Sequence, residues 1–365
     1  MDLPIVSDIN EIDNNMSFII NKVDVSIVNA IRRTILSDIP LLVFKTTPYA
    51  ENKVNIIKNT SRFNNEIIKQ RMGCIPVHIN DLSLPFDKFK IILSVKNETS
   101  NVIQVTTEDF KIKDTATDTF ISQEEVKKIF PPNKFTKDYI QLIRLRPKLS
   151  ENLLGEEIQL SGELSVSTAN ENGMYNVVYI CCFNNLPNQP LIQEKWKEKE
   201  NELTSNGIKK EDLVELKTNW MILDAKRIII EDGFYFQIKS LGIYKPTQLI
   251  KTAIDIINKK LSDISQGNGF TINKNQTTMK NSYDIIFDDE DYTIGKVLEF
   301  IMYNKYYLNS SIVSYVSFYK AHPHNIEGIL RVAFVNEVEI KSVSQFLISA
   351  CEDVSGLFKE IKEKF

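Results

Sequence analysis

Apolar residues return at helical spacing in four stretches of the chain and at period two in several others. Between Met16 and Phe44, the sequence MSFIINKVDVSIVNAIRRTILSDIPLLVF predicts a strand over Ser17–Val23 running directly into a helix over Asp24–Ile39. Asp24 and Ser26 are both N-cap candidates, since their side-chain oxygens can accept the unpaired amide hydrogens of a first turn. Pro40 stops the helix and pushes Ile39 out of the helical region. At roughly 100° per residue, Ile27, Val28, Ile31, Ile35 and Ile39 fill one arc about 120° wide. Arg33 points away from the middle of that arc, Arg32 sits at its edge, and Leu36 lies on Arg33's side. With Asn29 also on its back, the helix reads as covered on both sides. An ordinary amphipathic helix with a solvated arginine pair is the other reading.

The pattern returns at Tyr283–Tyr303, YDIIFDDEDYTIGKVLEFIMY. Laid on the first stretch without a gap, Asp24 falls on Asp291, Ser26 on Thr293, Ile27 on Ile294, Ile31 on Leu298 and Ile35 on Met302. Ile294, Val297, Leu298 and Ile301 recur at helical spacing. One chain thus carries two copies of a strand–helix unit, the pattern of an internal pseudo-dimer. Two long helices complete the set. Lys245-Pro246-Thr247 opens one, with the stripe Ile250, Ala253, Ile254, Ile257, Leu261 and Ile264. The other runs from about Glu339 to Glu363, with Val343, Phe346, Leu347, Ala350, Val354, Leu357, Phe358 and Ile361 in a 3-4 repeat. A second half of about 80 residues is too small a core to cover that last stripe alone. The stripe at Ile250–Ile264 is its matching cover, giving a four-helix core with sheets outside.

Between these elements, Pro48 to about Asn176 reads mostly as β, with strands at Phe89–Val95, Val102–Thr106, Ile140–Arg146 and Glu157–Ser167. Arg144 and Arg146 share one face of the third strand, as a partner contact or a solvated face. Val177–Phe183 is continuously apolar and reads as a buried strand. Gln193–Leu203 is a charged helix with little apolar face beyond Trp196. Glu231-Asp232-Gly233 predicts a tight hairpin turn between Ile228–Ile230 and Phe234–Ile238. Residues 265–282 are polar, hold Gly267 and Gly269, and read as a linker. Two strands, Val313–Phe318 and Ile329–Phe334, join through a turn near His322–Asn325.

A chain of 365 residues predicts two or more domains. Its 44 basic and 48 acidic residues leave a formal charge of −4, against a primary DNA-binding role, which needs a basic field. No run of about 18 apolar residues predicts a membrane span. MDLPIVSDINE lacks the basic start and apolar core of a signal peptide. Cys74, Cys181, Cys182 and Cys351 form no CxxC pair, which fits a reducing compartment; Cys181 and Cys182 should point to opposite strand faces. Phosphate-loop, GxGxxG, HExxH and GxSxG motifs are absent, so no catalytic residue is assigned. The carboxylates of Asp288, Asp289, Glu290 and Asp291 precede a helix N-terminus, where negative charge complements the dipole, and are not assigned to a metal. His322 and His324 lack a third ligand.

NAIRRTILSDIP resembles the signature of the alpha-like assembly subunits of multisubunit RNA polymerases: bacterial alpha, archaeal D and the eukaryotic third subunit. Asn59-Thr60-Ser61, Glu66-Ile67-Ile68, Arg71-Met72-Gly73 and Ile75-Pro76 resemble a second block of that family. Asp291 to Gly295, Tyr319-Lys320 and His322-Pro323-His324 resemble the smaller partner, archaeal L or the eukaryotic eleventh subunit. Val28 and Lys296 depart from the pattern, standing where members often carry a small residue and Asn.

The resemblance implies both partners fused in one α+β chain with the fold of the RNA polymerase alpha N-terminal domain. A discontinuous dimerisation domain (1–47 and 177–264) would enclose a mostly β insert (48–176), followed by the linker and a second dimerisation domain (283–365). Ile27, Ile31, Ile35, Ile250, Ile254, Ile257, Leu261, Ile294, Leu298, Phe346, Leu347, Val354, Leu357 and Phe358 would form the intramolecular interface, replacing a homodimer. Asn29, Arg32, Arg33, Leu36, Glu66 and Arg71 would bind partner subunits: the two largest, mainly the second largest, and small zinc-bearing ones. The zinc-loop and iron–sulfur ligands of some members are missing, so no cofactor is expected, and little direct DNA contact. Fusion and a composition crowded with Ile, Asn and Lys point by association to a large cytoplasmic DNA virus, hence to virion and host cytoplasm, with nucleus or cytoplasm otherwise. The competing functions are a free-standing enzyme with its site in the insert, and a nucleic-acid-binding module using Arg144, Arg146 and Lys148.

Overall fold

A computed structural model describes residues 3–148, 150, 154–275 and 279–365. The chain runs β1 (Ile5–Ile12), β2 (Asn15–Asn21), α1 (Val25–Ser37), β3 (Leu41–Phe44), β4 (Val54–Asn59), α2 (Asn65–Gly73), β5 (Phe89–Lys96), β6 (Ile103–Thr106), β7 (Lys111–Asp114), β8 (Thr119–Phe120), α3 (Gln123–Ile129), β9 (Gln141–Leu145) and β10 (Glu157–Ser167). It continues with β11 (Val178–Pro187), α4 (Gln189–Ser205), α5 (Lys210–Ile222), β12 (Ile229–Ser240), α6 (Pro246–Ser265), β13 (Phe270–Asn275) and β14 (Ser282–Phe287). Then come α7 (Tyr292–Met302), a π-helical segment Tyr303–Asn309, β15 (Val313–Tyr319), β16 (Gly328–Phe334) and α8 (Ile340–Glu363). Two compact units result: one of residues 1–35, 180–239 and 246–365, the other of residues 36–179 and 240–245.

The first unit holds two four-stranded sheets, ordered β1-β2-β12-β11 and β13-β14-β16-β15. Alternation in β2 buries Met16, Phe18 and Ile20 on one face. Phe18 stacks on Phe236 of β12 at 5.0 Å and meets the Phe365 ring edge-on at 4.8 Å. α6 and α8 pack on one another, and Lys362 pairs with Asp255 across them at 2.5 Å. Their contact follows from the two stripes: Ile250, Ala253, Ile254, Ile257, Leu261 and Ile264 are buried, as are Val343, Leu347, Ala350, Cys351, Val354, Phe358 and Ile361. α7 also packs on α8, burying Ile294, Val297, Leu298 and Ile301. Phe346 is only half-buried and lies against Tyr306 and Phe334, at 4.9 and 5.4 Å. It faces elements of its own half of the sequence.

Three elements of this unit differ from the sequence expectation. β12 runs unbroken through Glu231-Asp232-Gly233 and pairs with β2 from Gly233 to Lys239, so no hairpin turn forms there. Gly233 serves close approach: a Cβ there would lie 2.7 Å from Asn21 Oδ1. β13 occupies part of the expected linker and pairs antiparallel with β14. β11 is an edge strand covered on one face only, with Cys181 buried and Cys182 exposed.

The second unit is mostly β. Its larger sheet runs β3-β10-β5-β7-β8, with β4 also on β10, and β6 pairs with β9 separately. Phe44 and Phe130 stack in its core and Phe110 meets both edge-on, surrounded by Leu42, Val54, Ile91, Leu93, Ile158, Leu160 and Met72. α2 lies on β3, β4 and β9, which fixes the direction of its exposed residues. Among the described residues, no helix is long and apolar enough to cross a membrane.

Candidate functional site

The outer face of α1 is built by the phase of its apolar arc. Asp24 caps the helix by accepting the Ser26 amide at 2.8 Å, and Ile27, Val28, Ile31 and Ile35 turn inward. Asn29, Arg32 and Arg33 are left half-buried on the other side. Arg32 donates from Nε and Nη2 to Asn29 Oδ1 at 3.0 and 2.9 Å, so the two side chains form one unit. Behind them the buried Cys181 thiol donates to the Arg32 carbonyl at 3.8 Å. Burial pushes that thiol up to about 12, which leaves it unreactive.

Arg33 is engaged within the chain. Its Nε donates to Thr293 Oγ1 at 2.8 Å and its Nη2 pairs with the carboxylate of Asp291. Asp291 is the N-cap of α7 and also accepts the Thr293 amide at 2.7 Å. Burial works to raise the Asp291 carboxyl, but the bonds from Thr293 and the Arg33 charge outweigh it and hold it below the usual carboxylate range. The sequence reading aimed Arg33 outward at a partner. The structure instead spends its fork on the other strand–helix copy, with 37% of the side chain still exposed. The alignment that lays Asp24 on Asp291 also lays Arg33 on Phe300. Accordingly, among the described residues, Asp24 meets no arginine; it lines a cavity of about 310 Å³ with Ile27, Phe300 and the half-buried Leu357. A second echo lies one turn on. Asn29 and Arg32 align with Lys296 and Glu299, which pair at 2.7 Å. Glu299 also accepts the Phe318 amide at 2.6 Å.

The Arg33–Asp291 pair is half-exposed, so its contribution is modest. Arg33→Ala and Asp291→Ala, combined in a double-mutant cycle by urea unfolding, should couple by about 1 kcal/mol. Coupling indistinguishable from zero would make the pair incidental.

The remaining predicted contact residues lie in the second unit. Leu36 is half-buried near the end of α1. Glu66 and Arg71 are both exposed on α2 but line different cavities. Glu66 borders one with Thr46, Tyr49, Lys69 and Cys74. Arg71 borders another, donates to the Gln141 carbonyl at 2.7 Å, and lies 5.8 Å from the centre of the Phe63 ring. Sequence reasoning missed Arg62 and Phe63, which share that cavity with Arg144 and Arg146. It also missed Glu290, whose carboxyl burial pushes up to about 7. Its only sequence signal is alignment with Val23, a core position in the first copy. Among the described residues no three His, Cys, Asp or Glu side chains converge as a metal set. His322 and His324 touch each other, rings 4.9 Å apart.

A family model described as the RNA polymerase Rpb3/Rpb11 dimerisation domain matches residues 17–261. DNA-directed RNA polymerase subunit Rpo3 of Methanosphaera stadtmanae is 24% identical over 287 residues, covering 69% of this chain and 94% of that protein. Rpo3 of Thermococcus kodakarensis is 35% identical over 78 residues, 21% of this chain and 26% of its own length. Rpo3 of Methanobrevibacter smithii is 22% identical over 188 residues, 49% and 57% respectively. The match begins in β2, takes in the α1 face with Asn29, Arg32 and Arg33, and ends within α6, so the chain belongs to the RNA polymerase Rpb3/Rpb11 dimerisation-domain family.

Proposed function

We propose that this chain is the non-catalytic assembly platform of a DNA-dependent RNA polymerase, with both members of a dimer fused into one polypeptide. The observation that carries this reading is that α1 and α6 meet α7 and α8 inside one unit, through the Arg33–Asp291 pair and the α6–α8 packing. Fusion makes that pairing intramolecular and removes its dependence on concentration. On this reading the interior residues form a pseudo-dimer, residues 48–176 form the insert, and the partners are the two largest subunits and small zinc-bearing ones. A viral source, with virion and host cytoplasm as its locations, belongs to the same proposal.

Asn29 and Arg32 form the centre of the proposed face for the second-largest subunit, with the exposed part of Arg33 beside them. Each is the other's hydrogen-bond partner, so removing both leaves no orphaned side chain. Asn29→Ala with Arg32→Ala should therefore keep the wild-type melting temperature. Capture of a co-expressed, tagged second-largest subunit should fall by about tenfold, the scale of one or two lost charge-assisted bonds. Undiminished capture would overturn the assignment of this face.

A further inference from the structure

We infer that the cavity between α2 and β9 is a docking site for an acidic peptide segment of a partner protein, one that carries carboxylates around an apolar side chain. This rests on the reading of the chain as one subunit among several. The cavity, about 730 Å³, is lined by Arg62, Phe63, Arg71, Val102, Gln141, Ile143, Arg144, Arg146 and Pro147. Among the described residues, its lining holds four arginines and no carboxylate, in a chain whose formal charge is −4.

The four arginines are held differently. Arg71 is fixed by the Gln141 carbonyl at 2.7 Å. Arg146 is tied from Nε to Glu156 Oε1 at 2.5 Å, and its amide donates to Glu156 Oε2 at 2.7 Å, so its charge is answered from behind. Arg62 and Arg144 are exposed and make no ion pair among the described residues. Two preset forks beside two free ones match carboxylates, which guanidinium groups bind through paired N–H donors. Phe63, Val102, Ile143 and Pro147 supply apolar lining, which suits a leucine or phenylalanine between those carboxylates.

The same lining suits a nucleic acid less well. Sequence-tolerant binding of single strands uses aromatic platforms on which successive bases stack. Among the described residues, Phe63 is the one aromatic residue in the lining, and Arg71 lies 5.8 Å from its ring centre. Lys148, just past the cavity, has its amide bonded to the Thr99 carbonyl at 3.2 Å and does not extend the lining.

The test uses the full chain and fluorescence anisotropy with three labelled probes. One is a peptide of about nine residues with aspartates and glutamates flanking a central leucine and phenylalanine. The second is its asparagine and glutamine analogue, and the third a deoxythymidine decamer. The acidic peptide should bind, weaken as salt rises, and bind about tenfold less tightly to Arg62→Ala with Arg144→Ala. The charge-keeping Arg62→Lys with Arg144→Lys should give an intermediate loss, which also guards against misfolding of the alanine variant. Equal binding of the neutral analogue, or unchanged binding to the alanine variant, would overturn the inference. So would a decamer that binds more tightly than the peptide and loses affinity in that variant. Capture of the second-largest subunit by the wild-type chain is measured alongside. If capture holds and peptide binding fails, only the groove assignment falls; if capture fails, the assembly reading falls by itself.

Discussion

Gly295→Ala should cost about 3 kcal/mol of stability, the upper end of what one added methyl does in a filled core. A Cβ at Gly295 would lie 2.3–2.4 Å from three atoms of the Phe318 ring. That ring cannot retreat. It is buried, it touches Phe287 and Tyr292, and on another side Gly328 leaves no room, since a Cβ there would come within 2.5 Å of the ring tip. The first copy fills the aligned position with Val28, so the glycine answers to Phe318 and not to the helix itself. Chemical denaturation measures the loss. Phe318→Leu added to Gly295→Ala should recover part of it, giving a favourable coupling. A single variant within about 0.5 kcal/mol of wild type would mean that the ring moves freely.

Stability should also fall as pH rises from about 4.5 to about 7, through Glu290. Burial pushes its carboxyl from 4.5 up to about 7, while Lys260, 3.4 Å away, works in the opposite direction without cancelling it. In the unfolded chain the group ionises near its ordinary value, so across that window the folded state binds more protons. The slope of unfolding free energy with pH is therefore negative. At about 1.4 kcal/mol per unit, the whole effect is on the order of 3 kcal/mol, complete above the folded value and absent below the unfolded one. Glu290→Gln keeps the shape of the neutral acid. It should match wild type near pH 4 and exceed it by about 2–3 kcal/mol at pH 8. Urea unfolding of both proteins at several pH values checks this. Parallel stability profiles would show that Glu290 is not the group responsible.

What could be read from residues alone follows from where the controlling interactions lie. α1, α6, α7 and α8 were legible because each must bury a long stripe, and a stripe sets both the period and the face of a helix. β13 was not, because its residues alternate weakly and its strand character comes from pairing with β14. The Asp232-Gly233 pair misled for a related reason: local turn preference lost to a strand that stays extended through both residues and pairs with β2 from Gly233 onward. At the candidate site, the phase of α1 correctly left Asn29, Arg32 and Arg33 off the apolar arc. It could not say that Arg33 would find Asp291, which lies in the distant second copy. Glu290 escaped notice because an acidic run ordinarily stays in water. The arginine cavity escaped because it gathers residues from α2 and the loop before it, from just before β6, and from β9 and the loop after it.

Phe18 rests against Phe365 and Phe236, and that arrangement has a cost during synthesis. β2 leaves the ribosome early, yet the last aromatic ring that covers it is made more than three hundred residues later. At about 5–20 residues per second, the nascent sheet waits on the order of tens of seconds with part of its apolar face open. The other unit, residues 36–179 and 240–245, has its last residue made more than a hundred residues before the chain ends. Translation therefore completes one compact unit while the other still needs shielding, and the protein's vulnerability to aggregation is concentrated in that interval.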